Sequence, residues 1–176
     1  MAVGSKSDLN GLLETVGQLV RVGVVVSTNF AAATARVQFG DADDLVSYDM
    51  QIVFPKTSKD KFYNMPDTGD QVVCLFLPNG LEQGFILGSV YSTVDVPPVQ
   101  SPDKDHITYS DGTVIEYDRA AHVLTANVQG TATIQSTGLL TIKAPSIALT
   151  GTVTVNGDLS TTGNSYAKTR TGGHPP

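Results

Sequence analysis

Few residues in this chain are spaced for chemistry. Three carboxylates crowd into GDADD (Asp41, Asp43, Asp44), and three lysines into KTSKDK (Lys56, Lys59, Lys61). Histidines stand far apart at His106, His122 and His174, and the one cysteine, Cys74, lies inside GDQVVCLFLP. A calcium loop needs oxygen ligands at spaced positions and a closing Glu; GDADD has neither and reads as a polar turn. Cys74 cannot pair within the chain and lacks the cationic neighbours of a reactive thiol, so it reads as a small buried hydrophobe. No Walker loop, Rossmann glycine pattern, G-x-S-x-G elbow or H-E-x-x-H occurs. The spacing of Ser, His and Asp picks out no triad, and His106 and His122 adjoin turns and read as surface residues. His174, in the terminal TGGHPP, is on the plain reading an inert tail or part of a tag. In a three-fold assembly it would instead bring three imidazoles to one axis. The expectation is a protein that is not an enzyme.

Composition narrows the partners. The chain has 176 residues, 40% hydrophobic and 16% charged, with a net charge of −6. Globular domains carry about a quarter charged residues, so charge is scarce, and its sign repels phosphate backbones and anionic lipid heads. The segment MAVGSKSDLN has no apolar core of a secretory signal, and no run approaches the length of a membrane-spanning helix. Synthesis in the cytoplasm without a signal peptide is expected.

The elements that must position any site are mostly strands. Residues 7–21, SDLNGLLETVGQLVR, carry the one helical pattern: Leu9, Leu12, Leu13, Val16 and Val20 share a face. From residue 22 the text turns to β-rich runs: RVGVVVSTNF, TARVQFG, LVSYDMQIVFP, QVVCLFLP and GFILGSVYS. Five such runs without a helix among them predict a small Greek-key barrel of the OB type over residues 22–92. OB barrels often bind single strands through basic grooves and stacking aromatics. Here Phe30, Phe39, Tyr48, Phe54, Phe62, Tyr63, Phe76, Phe85 and Tyr91 lie mostly in strand runs and read as core, while the Lys56–Lys61 cluster is interrupted by Asp60 and reads as a solvated loop. No nucleic-acid partner is expected. Residues 93–106, with Pro97, Pro98 and Pro102, read as an extended linker.

Beyond the linker, SDG (Ser110–Gly112) and DRAAH (Asp118–His122) are hairpin turns. The pattern then becomes monotonous in blocks of about eight: TANVQGTA, TIQSTGLL, TIKAPSIA, LTGTVTVN, GDLSTTGN. Between Ala120 and Asn164 the only charges are Lys143 and Asp158. Short strands with one apolar face and two bare edges aggregate unless the edges are covered. A self-coiled solenoid, as in an adhesin or carbohydrate-binding module, would need longer coils and an aromatic groove. Identical chains wound together pair every edge and fit better. The expected inward residues of the shaft are Val128, Ile134, Leu140, Ile142, Ile147, Leu149, Val153 and Val155.

The stretch PDTGDQVVCLFLPNGLEQGFILGSVYS (Pro66 to Ser92) resembles the signature of phage baseplate assembly protein V and the spike proteins of contractile tails. Its elements are GD-x-V, an apolar strand ending in PNG, and GFILGSVY. The order of parts is similar too. The resemblance implies an all-β homotrimer: an N-terminal helix (1–21), a five-stranded OB barrel (22–92), a linker (93–106), an intertwined triple-stranded β-helix shaft (107–164) and a tip segment (165–176). It implies a non-enzymatic spike or baseplate hub of a phage tail, R-type bacteriocin or related injection particle. Its partners would be tail-tube or hub proteins, a separate PAAR-like tip protein, and transiently the target outer membrane. No lysozyme-like insertion is present, so the catalytic activity of some larger relatives is not carried over. Relatives with an H-x-H tip motif hold iron there; this chain has His174 alone, so no cofactor is expected beyond a metal candidate at that residue.

Overall fold

The structure, a computed structural model, describes residues 10, 11, 16, 17, 19–40, 44–77, 83–164 and 166. Two compact units emerge, residues 1–129 and 130–176.

Six strands form the first part of unit one: β1 (Val20–Asn29), β2 (Thr34–Phe39), β3 (Leu45–Val46), β4 (Met50–Ile52), β5 (Gln71–Phe76) and β6 (Gly84–Ser89). They are ordered β1-β5-β6-β4-β2-β3, and a further β1–β2 pairing closes the ring into a five-stranded barrel, with β3 extending β2 at its edge. All pairings are antiparallel except β4–β6. The expected barrel is therefore present. The third run, read as one strand, is instead broken at Ser47–Asp49 into β3 and β4. Ser47 makes the break tolerable: its hydroxyl accepts from the Val37 N–H at 2.9 Å and donates to the Tyr48 carbonyl at 2.8 Å.

Period-two alternation fills the barrel. Val25, Ala35, Val37, Phe39, Met50, Val72, Cys74, Phe76 and Ile86 form its core, with Ile52 packed against it. Phe39 and Phe76 meet edge to face at 5.5 Å, a favoured ring geometry. Gly23 lies where β1 and β2 approach most closely: a Cβ there would sit 2.5 Å from the Gln38 carbonyl oxygen and from Val37 Cγ1. Cys74 is fully buried and its thiol is pushed up to about 11 by desolvation, against the nearby Arg21 charge, as its apolar neighbours led one to expect.

The expected helix falls largely on residues outside the described ones. The described positions 10, 11, 16, 17 and 19 are helical, but Val20 and Arg21 already belong to β1. Arg21 points inward, its guanidinium carbon 4.4 Å from the Phe39 ring centre.

After residues 90–103 a meander follows: β7 (Lys104–Thr108), β8 (Val114–Asp118) and β9 (Val123–Asn127). The predicted turns connect them, with Gly112 at φ 86° and His122 at φ 57°. The first turn is braced by Asp111, whose carboxylate accepts from the Thr113 N–H at 2.8 Å. Lys104–His106, assigned by composition to the linker, are in fact the start of β7.

Residues 130–164 contain no strand ladder. Their backbone is drawn out and interrupted by bends at 129–130, 137–138, 145, 151, 156–157 and 162–163.

Candidate functional site

Four surfaces stand out, and none is a catalytic cleft. On the outside of the barrel, alternation leaves Val20, Val22, Val24 and Val26 of β1 36–55% exposed. Register sets Val20 beside Leu75, which pairs with Phe85, and Val22 beside Val73. The result is an apolar patch running across β1, β5 and β6.

The second surface is the loop after β4. Lys56 and Asp60 form an ion pair at 2.8 Å, and the Phe62 N–H donates to the Lys56 carbonyl at 3.1 Å, folding residues 56–62 into a small hairpin. Phe54 and Tyr63 stack at 6.1 Å, and the Tyr63 hydroxyl donates to the Phe30 carbonyl at 3.2 Å. The expectation that the barrel aromatics are mostly core is corrected here. Phe39 and Phe76 are buried, but Phe30, Tyr48, Phe62, Tyr63 and Tyr91 are 57–64% exposed. They sit in turns and loops beyond the strand ends, where alternation sets no direction.

The meander holds a polar network. Lys104, His106 and Thr108 alternate along one face of β7, and Glu116 pairs directly with His106 across β8. Glu116 Oε2 lies 2.6 Å from His106 Nδ1, and Oε1 accepts from Lys104 Nζ at 2.8 Å. These two hydrogen bonds, Lys104 first, hold the Glu116 carboxyl below its ordinary range, while Lys104 is raised by the same bond. A carboxylate only accepts, so Nδ1 carries the proton, and in the neutral ring Nε2 takes the Thr108 hydroxyl hydrogen at 2.6 Å. His106 is thus no free surface residue; its side chain is 10% exposed.

Hydroxyl, imidazole and carboxylate stand in the order of a nucleophilic relay, which sequence spacing did not reveal. Thr108 borders a cavity of about 460 Å³, but Asp70 and Asp95 line it too. Carboxylates disfavour the negative charge that develops during acyl transfer. The network ties two strands together. The opposite face of the meander carries Ile107, Ile115, Tyr117 and Leu124, all 41–73% exposed.

The fourth surface is the ladder of residues 130–164. Of the expected shaft residues, Val128 is 39% exposed, and Ile134, Leu140, Ile142, Ile147, Leu149, Val153 and Val155 are 51–79% exposed. A single chain brings none of them together in a core. Among the described residues no cluster of three or more potential metal ligands occurs. His174, with Asp41 and Asp43, lies outside the described residues. No helix among those described is long and apolar enough to cross a membrane.

The described residues thus form a closed five-stranded barrel with one parallel pairing, a β-meander and a nearly chargeless apolar ladder, with exposed apolar faces on each. Residues 21–91 match the protein family described as the type VI secretion system/phage-baseplate injector OB domain. The chain is also 27% identical over 152 residues, 86% of its length and 71% of the relative's, to the spike protein of Escherichia phage P2. The likeness to the injector OB domain thus covers the barrel, and the likeness to a spike protein runs on beyond it.

Proposed function

We propose that this chain is the central spike or hub protein of a contractile injection particle, working as a homotrimer that pierces a target envelope. One observation carries the reading. Residues 130–164 are nearly chargeless, yet their large apolar side chains are more than half exposed and their backbone has no ladder in the chain itself. Soluble monomers rarely leave contiguous apolar surface of that extent uncovered, and unpaired edges recruit other strands. Three copies wound into a triple-stranded β-helix pair the edges and bury the face. A shaft in which every backbone group is paired is stiff, and stiffness is what a piercing function requires.

In this reading the barrel forms the head. Its valine patch and the Phe54–Tyr63 hairpin with Lys56, Lys59 and Lys61 are the faces offered to the tail tube or hub proteins. Residues 165–176 form the tip, docked to a PAAR-like protein or holding a metal through His174. One imidazole per chain supplies three nitrogen donors, one short of a closed tetrahedral shell, so water or an anion would complete it.

Sedimentation equilibrium tests the assembly. The expected mass is three times the chain's 18.5 kDa, in a form that resists SDS without heating. A monomer at micromolar concentration overturns the reading.

A further inference from the structure

A cavity of about 460 Å³ lies where the barrel meets the meander. That is roomier than a bare ion needs, and it falls in the range of roughly 300–1,000 Å³ usual for ligand sites. Its walls come from the ends of β5, β6 and β7 and from the segment between β6 and β7. Backbone bonds hold these parts in place. The Asp70 carbonyl accepts from the Val25 N–H at 2.9 Å, and the Gln71 carbonyl accepts from the Val90 N–H at 2.8 Å. Asp95 sits in a tight turn: its N–H donates to the Ser92 hydroxyl at 3.0 Å, and its carbonyl accepts from the Ser92 N–H at 2.9 Å.

The hydroxyl donors of this lining are already engaged. Ser89 donates its hydroxyl hydrogen to Asp70 Oδ2 at 3.3 Å. Thr108 donates its own to Nε2 of neutral His106 at 2.6 Å. A hydroxyl has one hydrogen and two lone pairs, so both groups have only lone pairs left to offer. Asp70 Oδ2 also accepts from the Asp67 N–H at 3.1 Å, which leaves Oδ1 open. Among the described residues neither Asp70 nor Asp95 takes part in an ion pair. Two carboxylates and two hydroxyls therefore supply acceptors, and Tyr91, 63% exposed, adds an aromatic ring to the wall.

A ligand that suits this lining donates several hydrogen bonds, carries positive charge and has a flat face. Phosphates and carboxylates are repelled. A sugar hydroxyl brings two lone pairs with each hydrogen, and those would meet further acceptors. An ammonium has three donors and no plane. A guanidinium has five donors in one plane, engages carboxylates two bonds at a time and stacks on aromatic rings. We infer that this cavity binds the guanidinium of an arginine side chain presented by another polypeptide. The polypeptide source follows from charge: free arginine carries its own carboxylate, which Asp70 and Asp95 repel, and a peptide bond removes it. Val90, also in the wall, offers apolar contact to the methylene stem. The cavity shares no residue with the valine patch or the Lys56–Lys61 hairpin, and the inference holds for a trimer and for a single chain alike.

Nuclear magnetic resonance titration of the full chain tests it, with N-acetyl-arginine methylamide as the probe. Saturable shifts are expected at the amides of Ser89, Tyr91, Asp95 and Thr108. N-acetyl-citrulline methylamide, the same shape without the charge, is expected to give none. The Asp95 carboxylate makes no hydrogen bond among the described residues, so Asp95→Asn keeps the fold, which an unchanged spectrum away from the cavity verifies. A charge-assisted bond is roughly twice as strong as a neutral one, so this variant is expected to bind the probe about tenfold more weakly. Tyr91→Leu removes the stacking face and is expected to weaken binding several-fold. Absence of shifts, equal binding of the citrulline compound, or wild-type affinity in Asp95→Asn overturns the inference. So does calcium chloride alone shifting these amides when the arginine probe does not, which would make the cavity a metal site. Free L-arginine binding as tightly as the blocked form overturns the polypeptide source.

Discussion

Replacing Ile142 with Asp separates a chain that works alone from one that works in copies. In the single chain Ile142 is 68% exposed, and a substitution at such a site ordinarily changes stability by no more than about 0.5 kcal/mol. In the proposed trimer that exposed two-thirds would be buried. Full burial of an Ile side chain is worth about 1.5–3 kcal/mol, so the portion still to be buried contributes about 1–2 kcal/mol per chain, or about 3–6 kcal/mol over three. At about 1.4 kcal/mol per decade, the lost apolar contact alone weakens assembly by on the order of 10²–10⁴-fold. Three carboxylates in one dry layer add desolvation and mutual repulsion, several kcal/mol per ion. The neighbouring residue supplies the assay. Lys143 is the sole Lys or Arg between Ala120 and Asn164, so trypsin has one site in the ladder. Wild type is expected to resist cleavage after Lys143, and Ile142→Asp to be cut there and to sediment as monomer. A control, Leu139→Asp, keeps the tryptic site and is expected to remain resistant. An Ile142→Asp chain that sediments as trimer and resists trypsin would refute the reasoning, because it would mean that this side chain is never buried.

Two further outcomes concern the head and the meander. Gly23→Ala is expected to destabilise the barrel, because the new Cβ would meet a backbone oxygen and buried Val37 at 2.5 Å and Phe39 Cδ1 at 2.8 Å. Overpacking of this kind costs about 1–3 kcal/mol and outweighs the ~0.4–1 kcal/mol gained from a stiffer unfolded chain. The barrel transition should fall by several degrees, whereas Gly40→Ala, with nothing within 4 Å, should leave it in place; an unchanged or raised midpoint for Gly23→Ala would contradict the close approach of β1 and β2. In the meander, Glu116 has its carboxyl held below the ordinary 4.5 by Lys104 and then His106. Its stabilising contribution is therefore complete above pH 4.5 and is lost as pH falls through the lowered value. Amide exchange in β7 and β8 should accelerate on that acid limb, and Glu116→Gln should flatten the part of the dependence that Asp118, also lowered, does not supply; a limb unchanged by the substitution would sink the assignment.

Much of the barrel was legible because its strands obey a simple alternation, and the buried set Val72, Cys74 and Phe76 is the alternate members of one apolar run. The break in the third run was not, since Ser47 substitutes for a strand residue by side-chain bonds that no periodicity encodes. The His106 network was missed for a different reason. His106 and Glu116 are ten residues apart, and their meeting depends on the hairpin register. A signal was present: both are five residues from Asp111, the centre of the SDG turn, and a tight turn there pairs them. The exposed aromatics were misread because Phe30, Phe62 and Tyr63 lie past the ends of the strands. The ladder was recognised as a repeat, but a fixed count of eight blurred its frame after Pro145.

The barrel and the ladder answer the same physical demand in different ways. Every strand must find partners for its backbone groups, or the edge remains open to other chains. In the barrel the demand is met within the chain: β1 pairs with both β2 and β5, and the parallel β4–β6 pairing completes the ring. Its core is then closed, and residues 22–92 hold 12 of the chain's 28 charged residues, against two in residues 130–164. In the ladder no strand returns. Residues 130–164 hold no ladder within the chain, and the proposed trimer gives their scarcity of charge a cause. In the proposed trimer, like charges brought together around one axis would repel, which accounts for a segment of Thr, Ser and apolar residues with so few charges. Two charges remain there, Lys143 and Asp158, neither of them among the expected inward residues.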